Sequence, residues 1–559
     1  MARIRGKTQS QSHFAKTVHS NISKSTFMRN STKKTTFNAG ELVPIYIDEI
    51  VPGDVFEFDL KAIIRFIIPP VFPTMDLLEY RIHAFFVPNR LVYDRWEELM
   101  GENKSGPWTP TNPPPPIPRF ESNVPVAGSG SIGDYYGIPV GVPIGAMGVS
   151  QLPLRGYGLI WNEWFRDQNL QAPIPINLGA GWSSSRLRPH YPLLRVNKPH
   201  DYFTSALPSP QKGESSLIPI NIDQLIPVMA MPGVADGTPG SSLTWTNVVS
   251  GNSFNATTRL GINGLAPSHT VAEEAGPAGL HPGQVLIKPR NLFANATGLN
   301  LNATTIHELR TAFQIQRLYE RDARAGTRYV EMLKAHFGVE AEDYRLQRPE
   351  YLGFAKGYVG MQQVVQNSAS GMGDTPQGNL TAYSYTQCDH TLFKKSFVEH
   401  GFLHIFVEVR HRKTYQQGLE RFWSHQDRLD HFLPVLAHIS EQPIYNKELF
   451  ADGNTAVNDQ IHGFQEPWAF LKYKPNGVTG QCRNGVPNSL YFTHYADWYD
   501  SRPNLSAQWI TDNSRENIQR TLAVTERLGQ HQFIMDIAFL NKATRPIPLH
   551  SIPGMVDHH

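Results

Sequence analysis

The sequence predicts a mainly β protein with one antiparallel core that closes late in the chain and carries long insertions. Three observations predict it. Alternating apolar segments stand near both ends, at 42–60 and again at 533–540. Gly 44 and Pro 43 call for many turns and long connections instead of long helices. Helical signals are few and lie in the middle. Strong strands at both ends of a long chain fit one core with large loops inserted between its strands.

Residues 1–40 come first and read as a basic arm. They hold Arg3, Arg5, Lys7, Lys16, Lys24, Arg29, Lys33 and Lys34, and no acidic residue stands before Glu41. The chain is +2 overall and this arm carries +8, so the other 519 residues are −6. A Ser/Thr-rich basic segment ahead of a near-neutral body suits an arm that meets a polyanion and a body that meets protein. A merely solvated tail accounts for the charge pattern alone equally well. Phe14, Phe27 and Phe37 are the arm's candidates for stacking on bases.

The run LVPIYIDEIVPGDVFEFDL from residue 42 alternates and breaks at Pro52-Gly53, and 62–68 continues as an apolar strand to Pro69-Pro70. Residues 80–87 and 402–409 are further strands. Prolines 113–116 make a stiff extended spacer. Trp161, Trp164 and Phe165 mark a short aromatic helix, read as an anchor for a loop. Residues 231–300 hold ten glycines and only six charges, which reads as a surface excursion. A capping box, Thr305 with Glu308, opens a helical excursion over 305–338. Leu309, Phe313 and Leu318 recur in it, then Tyr329, Met332 and Phe337 up to Gly338.

Composition bounds the class. Charged residues are 18%, below the roughly 25% usual for soluble domains, and aromatics are 11%. A surface so poor in charge is suited to meeting other protein. Cys388 and Cys482 are too few for a disulfide framework or a four-thiolate zinc site, and a reducing compartment is expected. No apolar leader opens the chain and no stretch approaches membrane-spanning length, so no membrane insertion is expected.

Catalytic motifs largely fail. Residues 128–133 match GxGxxG, but Gly137, Pro139, Gly141 and Pro143 follow, so a loop is expected there and not a helix that holds a pyrophosphate. His425, Asp427, Asp430 and His431 are a weak metal candidate if helical, since such polar faces are usually just solvated. Cys388-Asp389-His390 sets a thiol near an imidazole in sequence, where nucleophile and base seldom face each other. No enzyme reading survives, and no catalytic residue, metal or cofactor is expected.

Longer strings are more specific. FNAGELVPIYIDEIVPGD (37–54), FFVPNRLVYDRWEELMGE (85–102), HDYFTSALPSPQKG (200–213), ELRTAFQIQRLYERDARAGTRYVE (308–331), RLQRPEYLG (345–353) and PGMVD (553–557) closely resemble the major capsid protein of the Microviridae, gokushovirus group. The resemblance spans nearly the whole chain and is weakest over 231–300. It implies an eight-stranded viral jelly roll, residues 41–559, with greatly enlarged connections. It further implies that about sixty copies close a T=1 icosahedral shell around circular single-stranded DNA. The eight arm cations would then meet packaged DNA, and 231–300 would form a protrusion at the three-fold axes. Other small virion proteins and a host surface receptor are the remaining partners implied, with assembly in the host bacterial cytoplasm. The rival readings are a carbohydrate-binding or carbohydrate-cleaving jelly roll and a soluble DNA-binding protein, which leaves most of the chain unexplained.

Overall fold

The computed structural model describes residues 23–102, 116–120, 128–142, 148–180, 192–213, 306–325, 347–368, 377–523 and 530–550, together with six short backbone segments between 228 and 294. The chain forms two compact units, Met1–Lys212 with Glu320–His559, and Gly213–Tyr319.

Nine strands build the core of the first unit: β1 (Ser25–Met28), β2 (Ser31–Phe37), β3 (Val43–Ile50), β4 (Val55–Phe66), β5 (Leu78–Pro88), β6 (Glu350–Tyr358), β7 (Thr386–Ser396), β8 (Gly401–His411) and β9 (Phe533–Arg545). The first sheet runs β2, β9, β4, β7, with β1 sharing the β2 edge of β9; the second runs β3, β8, β5, β6. Every pairing is antiparallel. From β2 to β9 the chain crosses between the two sheets at every step except β5 to β6, which is the strand order of a jelly roll. Most of the remaining mass hangs in two connections, 89–349 and 412–532.

Period-two alternation makes the sandwich. Phe56, Phe58, Leu60, Ile64 and Phe66 of β4 point inward with Met535, Ile537 and Phe539 of β9. They meet Ile82 and Phe86 of β5 and Leu403, Ile405 and Val407 of β8 in one cluster. Each such side chain contributes roughly 1.5–3 kcal/mol by leaving water. Strand β2 is locked by aromatic packing: Phe37 pairs with Phe533 and Phe533 with Phe66, with ring centroids at 5.6 and 4.6 Å.

The outer face of the second sheet is covered over β5 and β8. Helix α1 (Leu152–Ile160) lays Leu154, Tyr157 and Ile160 against Phe85, Val87 and Phe406. Gly156 permits that approach, since a Cβ there would lie 2.9 Å from Nε2 of His404. Tyr157 donates to the Leu42 carbonyl at 3.0 Å and accepts from the Leu194 N–H at 2.9 Å, tying helix to sheet. The aromatic helix expected at 161–165 is a π-helical continuation of α1, and its anchoring role holds: Trp161 is buried and donates to the Arg195 carbonyl at 2.9 Å.

In the second unit, three strand pairs nest inside one another: Val228–Ala230 with Leu292–Ala294, Trp245–Asn247 with Ile287–Pro289, and Arg259–Asn263 with Thr270–Glu274. The excursion at 231–300 is thus threaded by a nested antiparallel ladder. The helix expected after Thr305 is α2 (Ile306–Ala325). Its sequel over 329–338 and prolines 113–115 lie outside the described residues.

Candidate nucleic-acid interface

Arg3, Arg5, Lys7, Lys16 and Phe14 lie outside the described residues. The other four arm cations fall on or beside β1 and β2. Lys24 donates to the Gly53 carbonyl at 2.7 Å, closing the β3–β4 turn, in which Gly53 takes φ +94. Arg29 pairs with Asp48 of β3. Burial is the largest influence and opposes its charge, but the bond to Asp48 and the charges of Asp48, Tyr46 and Asp54 together outweigh it and raise its pKa. Lys33 is half-buried and donates to the carbonyls of Tyr135 and Pro44. Burial lowers its pKa to about 8, with Asp134 pulling the other way. Lys34 faces solvent, paired across the strands with Asp536 at 3.3 Å, their side chains 77% and 53% exposed.

Adjacent cations in one strand therefore divide. Lys33 points to the interior side and is spent on the fold, while Lys34 points outward, where exposed pairing is worth only about 0–1 kcal/mol and yields readily to a phosphate. Phe37 is a correction: it is fully buried against Phe533, because β2 needs an apolar residue at its inward end, so it cannot stack on bases. Phe27 is half-buried.

Lys34 joins a grid on the outer face of the first sheet. Lys61 pairs with Asp389 at 2.9 Å, Lys542 with Glu57 at 3.2 Å, and Lys394 with the same Glu57. Glu57 is held below the usual carboxylate range by its bonds to Lys394 and Lys542. This face is close to charge-balanced, so it offers no polyanion site of its own. Sequence reading had not singled it out, because its members are hundreds of residues apart. The alternation of Glu57, Asp59, Lys61 and Arg65 along β4 was the available signal.

The motifs weighed for chemistry resolve structurally. The GxGxxG stretch is followed by one helical turn, Ile132–Tyr135, where a loop was expected: Ser131 caps it, and Asp134 takes the Gly130 N–H at 2.8 Å. A carboxylate thus fills the position a phosphate would need. Asp427 and Asp430 stand on a 3-10 turn, not a helical face, and cap it reciprocally. Among the described residues no three side chains of metal-ligating type converge. Burial pushes the Cys388 thiol up, away from the thiolate, and His390 is occupied by the Tyr80 hydroxyl, 2.9 Å from its Nε2.

A family model described as capsid protein (F protein) matches residues 16–555. The chain belongs to this capsid family. Capsid protein VP1 of Bdellovibrio phage phiMH2K is 38% identical over 557 residues, 98% of each chain. Capsid protein VP1 of Chlamydia phage 1 is 36% identical over 593 residues, again 98% of each. Capsid protein VP1 of Spiroplasma virus 4 is 38% identical over 536 residues, 93% of each. The resemblance to gokushovirus capsid proteins therefore stands, and a structural role in the virion follows from it. Half-buried Lys33 and Arg29 are engaged within the fold; Lys24 and Lys34 are the described arm cations that face solvent. No described helix is long and apolar enough to cross a membrane.

Proposed function

We propose that about sixty copies of this chain close a T=1 icosahedral shell around circular single-stranded DNA. Full-length similarity to capsid proteins, on a chain whose described core has the jelly-roll strand order, is the observation that carries the reading. Arg3, Arg5, Lys7 and Lys16, joined by Lys24 and Lys34, meet phosphates without reading sequence. Arg29 and Lys33 hold the arm's second half to the wall. The excursion at 231–300 is the outward protrusion and the place for a host receptor, and assembly proceeds in the host bacterial cytoplasm with small virion proteins.

Electron microscopy and light scattering of the purified chain, with any partner virion proteins supplied, test the shell. Closed particles are expected, and a strictly monomeric product overturns the reading. For the arm, binding of a single-stranded oligonucleotide to dissociated subunits is expected to fall with salt at a log–log slope near about −4, from six cations at ~0.7 each. Replacing Arg3, Arg5, Lys7 and Lys16 with Gln should bring the slope to about −1.4 and lower the DNA content of particles. Unchanged slope and unchanged DNA content would remove the arm from nucleic-acid binding.

A further inference from the structure

Residues 419–436 read LERFWSHQDRLDHFLPVL, an apolar segment whose Glu420, Asp427 and Asp430 stand against Arg421 and Arg428, a net charge of −1. It folds as three short 3-10 turns, Arg421–Ser424, Arg428–Asp430 and Pro434–Leu436. The turns are firmly fastened from beneath. Asp430 accepts from the N–H groups of Gln426 and Asp427 at 2.8 and 3.0 Å. The Arg421 guanidinium lies over the rings of Tyr445 and Phe470, at 5.3 and 5.0 Å, and donates to the Pro443 carbonyl at 2.7 Å. Trp468 closes the other end: its indole N–H donates to the Leu436 carbonyl at 2.8 Å and its ring meets Phe432 edge-on at 5.4 Å.

Trp468 does this from the left-handed region, at φ +63. A bulky residue there costs about 1–3 kcal/mol and persists only where its surroundings fix it. All this fastening leaves apolar side chains outside. Trp423 and Leu429 are 70% exposed and Val435 is 93% exposed, with Phe422, Phe432 and Leu471 also open to solvent. A monomer has no use for a firmly fastened loop whose largest apolar groups point at water. An interface does, because rigid aromatic and aliphatic anchors lose little entropy on docking.

We propose that this platform is a docking surface for a second copy of this chain. The inference rests on the capsid reading above and names the surface through which one subunit holds the next. Counting Lys472 and Lys474, which pair with Glu466 and Glu420, the surface still has no cation excess, which favours a protein occupant over DNA. Membership in a capsid family supplies a partner at high local concentration: another subunit. The pocket beside it is walled by Phe203, Phe422 and Phe470 together with Glu420, Arg421 and Glu448, a small cleft of mixed character for an incoming side chain.

The test uses the full chain carrying Trp423→Ser, or Leu429→Asp with Val435→Asp. These side chains are exposed, so the melting of dissociated subunits should not move. The subunit concentration needed for half-assembly should rise at least about thirtyfold, the loss of one interface hot spot. Hydroxyl-radical labelling of unaltered protein gives a readout independent of any variant: Trp423 and Leu429 should be protected in particles relative to free subunits. Wild-type protein that assembles while the variants assemble equally well, with equal labelling in both states, overturns the docking surface and leaves the capsid reading intact. Variants that form normal shells lacking a small virion protein also overturn it, reassigning the platform to that protein. Wild-type protein that never assembles overturns the reading underneath.

Discussion

The two sheets of the sandwich share one core, yet their outer faces differ. That of the first sheet, over β4 and its neighbours, is a charged grid of ion pairs across strands. That of the second lies under α1, so β5 and β8 are buried on both sides along most of their length. Among the described residues, the segment 152–165 covers the second sheet over β5 and β8, while the first keeps a charged outer face. Covering a sheet with insertions makes its outer side a second core, intolerant of change, whereas the bare sheet keeps a surface that charge alone maintains.

Four measurements on dissociated subunits would break or sharpen this contrast. The largest effect is expected from Phe406→Ala, whose ring is fully buried beneath Tyr157 at 5.6 Å on the covered side. A loss of about 3–5 kcal/mol in denaturant unfolding is expected, and a loss under about 1 kcal/mol would mean the helix is not packed there. Next, Gly156→Leu should cost about 1–3 kcal/mol by forcing a side chain onto His404. An unchanged midpoint would show that α1 can lift off the sheet.

His404 supplies a pH test of the same side. Burial lowers its pKa to about 3, while in the unfolded chain it titrates near 6.5. As pH falls below about 6.5 the unfolded state takes up a proton that the folded state refuses, so stability declines; above pH 7 the group has no effect. Relative to His404→Gln, the native chain should lose about 1.4 kcal/mol between pH 7.5 and 5.5. Parallel pH curves would show the imidazole to be hydrated. The smallest effect belongs to the bare sheet: a double-mutant cycle on Lys61 and Asp389 should give a coupling of about 0.2–1 kcal/mol that fades in salt. A coupling of several kcal/mol would mean that this face, too, is shielded from water.

The same contrast explains what could be read in advance. Strands β5 and β8 announce themselves because both faces are apolar, and β4 and β9 because a clean alternation survives on a half-bare sheet. Strand β2, STKKTTF, carries a single large apolar residue, and its pairing with β9 is set by a partner some five hundred residues away, which no local pattern encodes. Strand β7 is disguised by a bulge at Leu392 that shifts its alternation, and β6 by two glycines. Among the arm cations, charge was legible but destination was not. Lys33 and Lys34 are identical in sequence terms, and only strand parity sends one into the wall and the other to solvent. Of the platform at 419–436 only His425, Asp427, Asp430 and His431 drew notice, as a weak metal candidate, because its turns lack the helix or strand repeat that would mark the apolar side chains.

The β2–β9 ladder also has a consequence in time. Thr26 and Thr544, 518 positions apart, meet at its β1 extension. A ribosome adding about 5–20 residues per second needs on the order of 25–100 s to pass from one end of that pairing to the other. Until then β4 lacks its neighbour on one side, the ion-pair grid is incomplete, and a nascent chain can present only an unfinished wall. The first sheet is therefore completed only once β9 has been made, and until then the edge of β4 that β9 covers stays open to wrong partners.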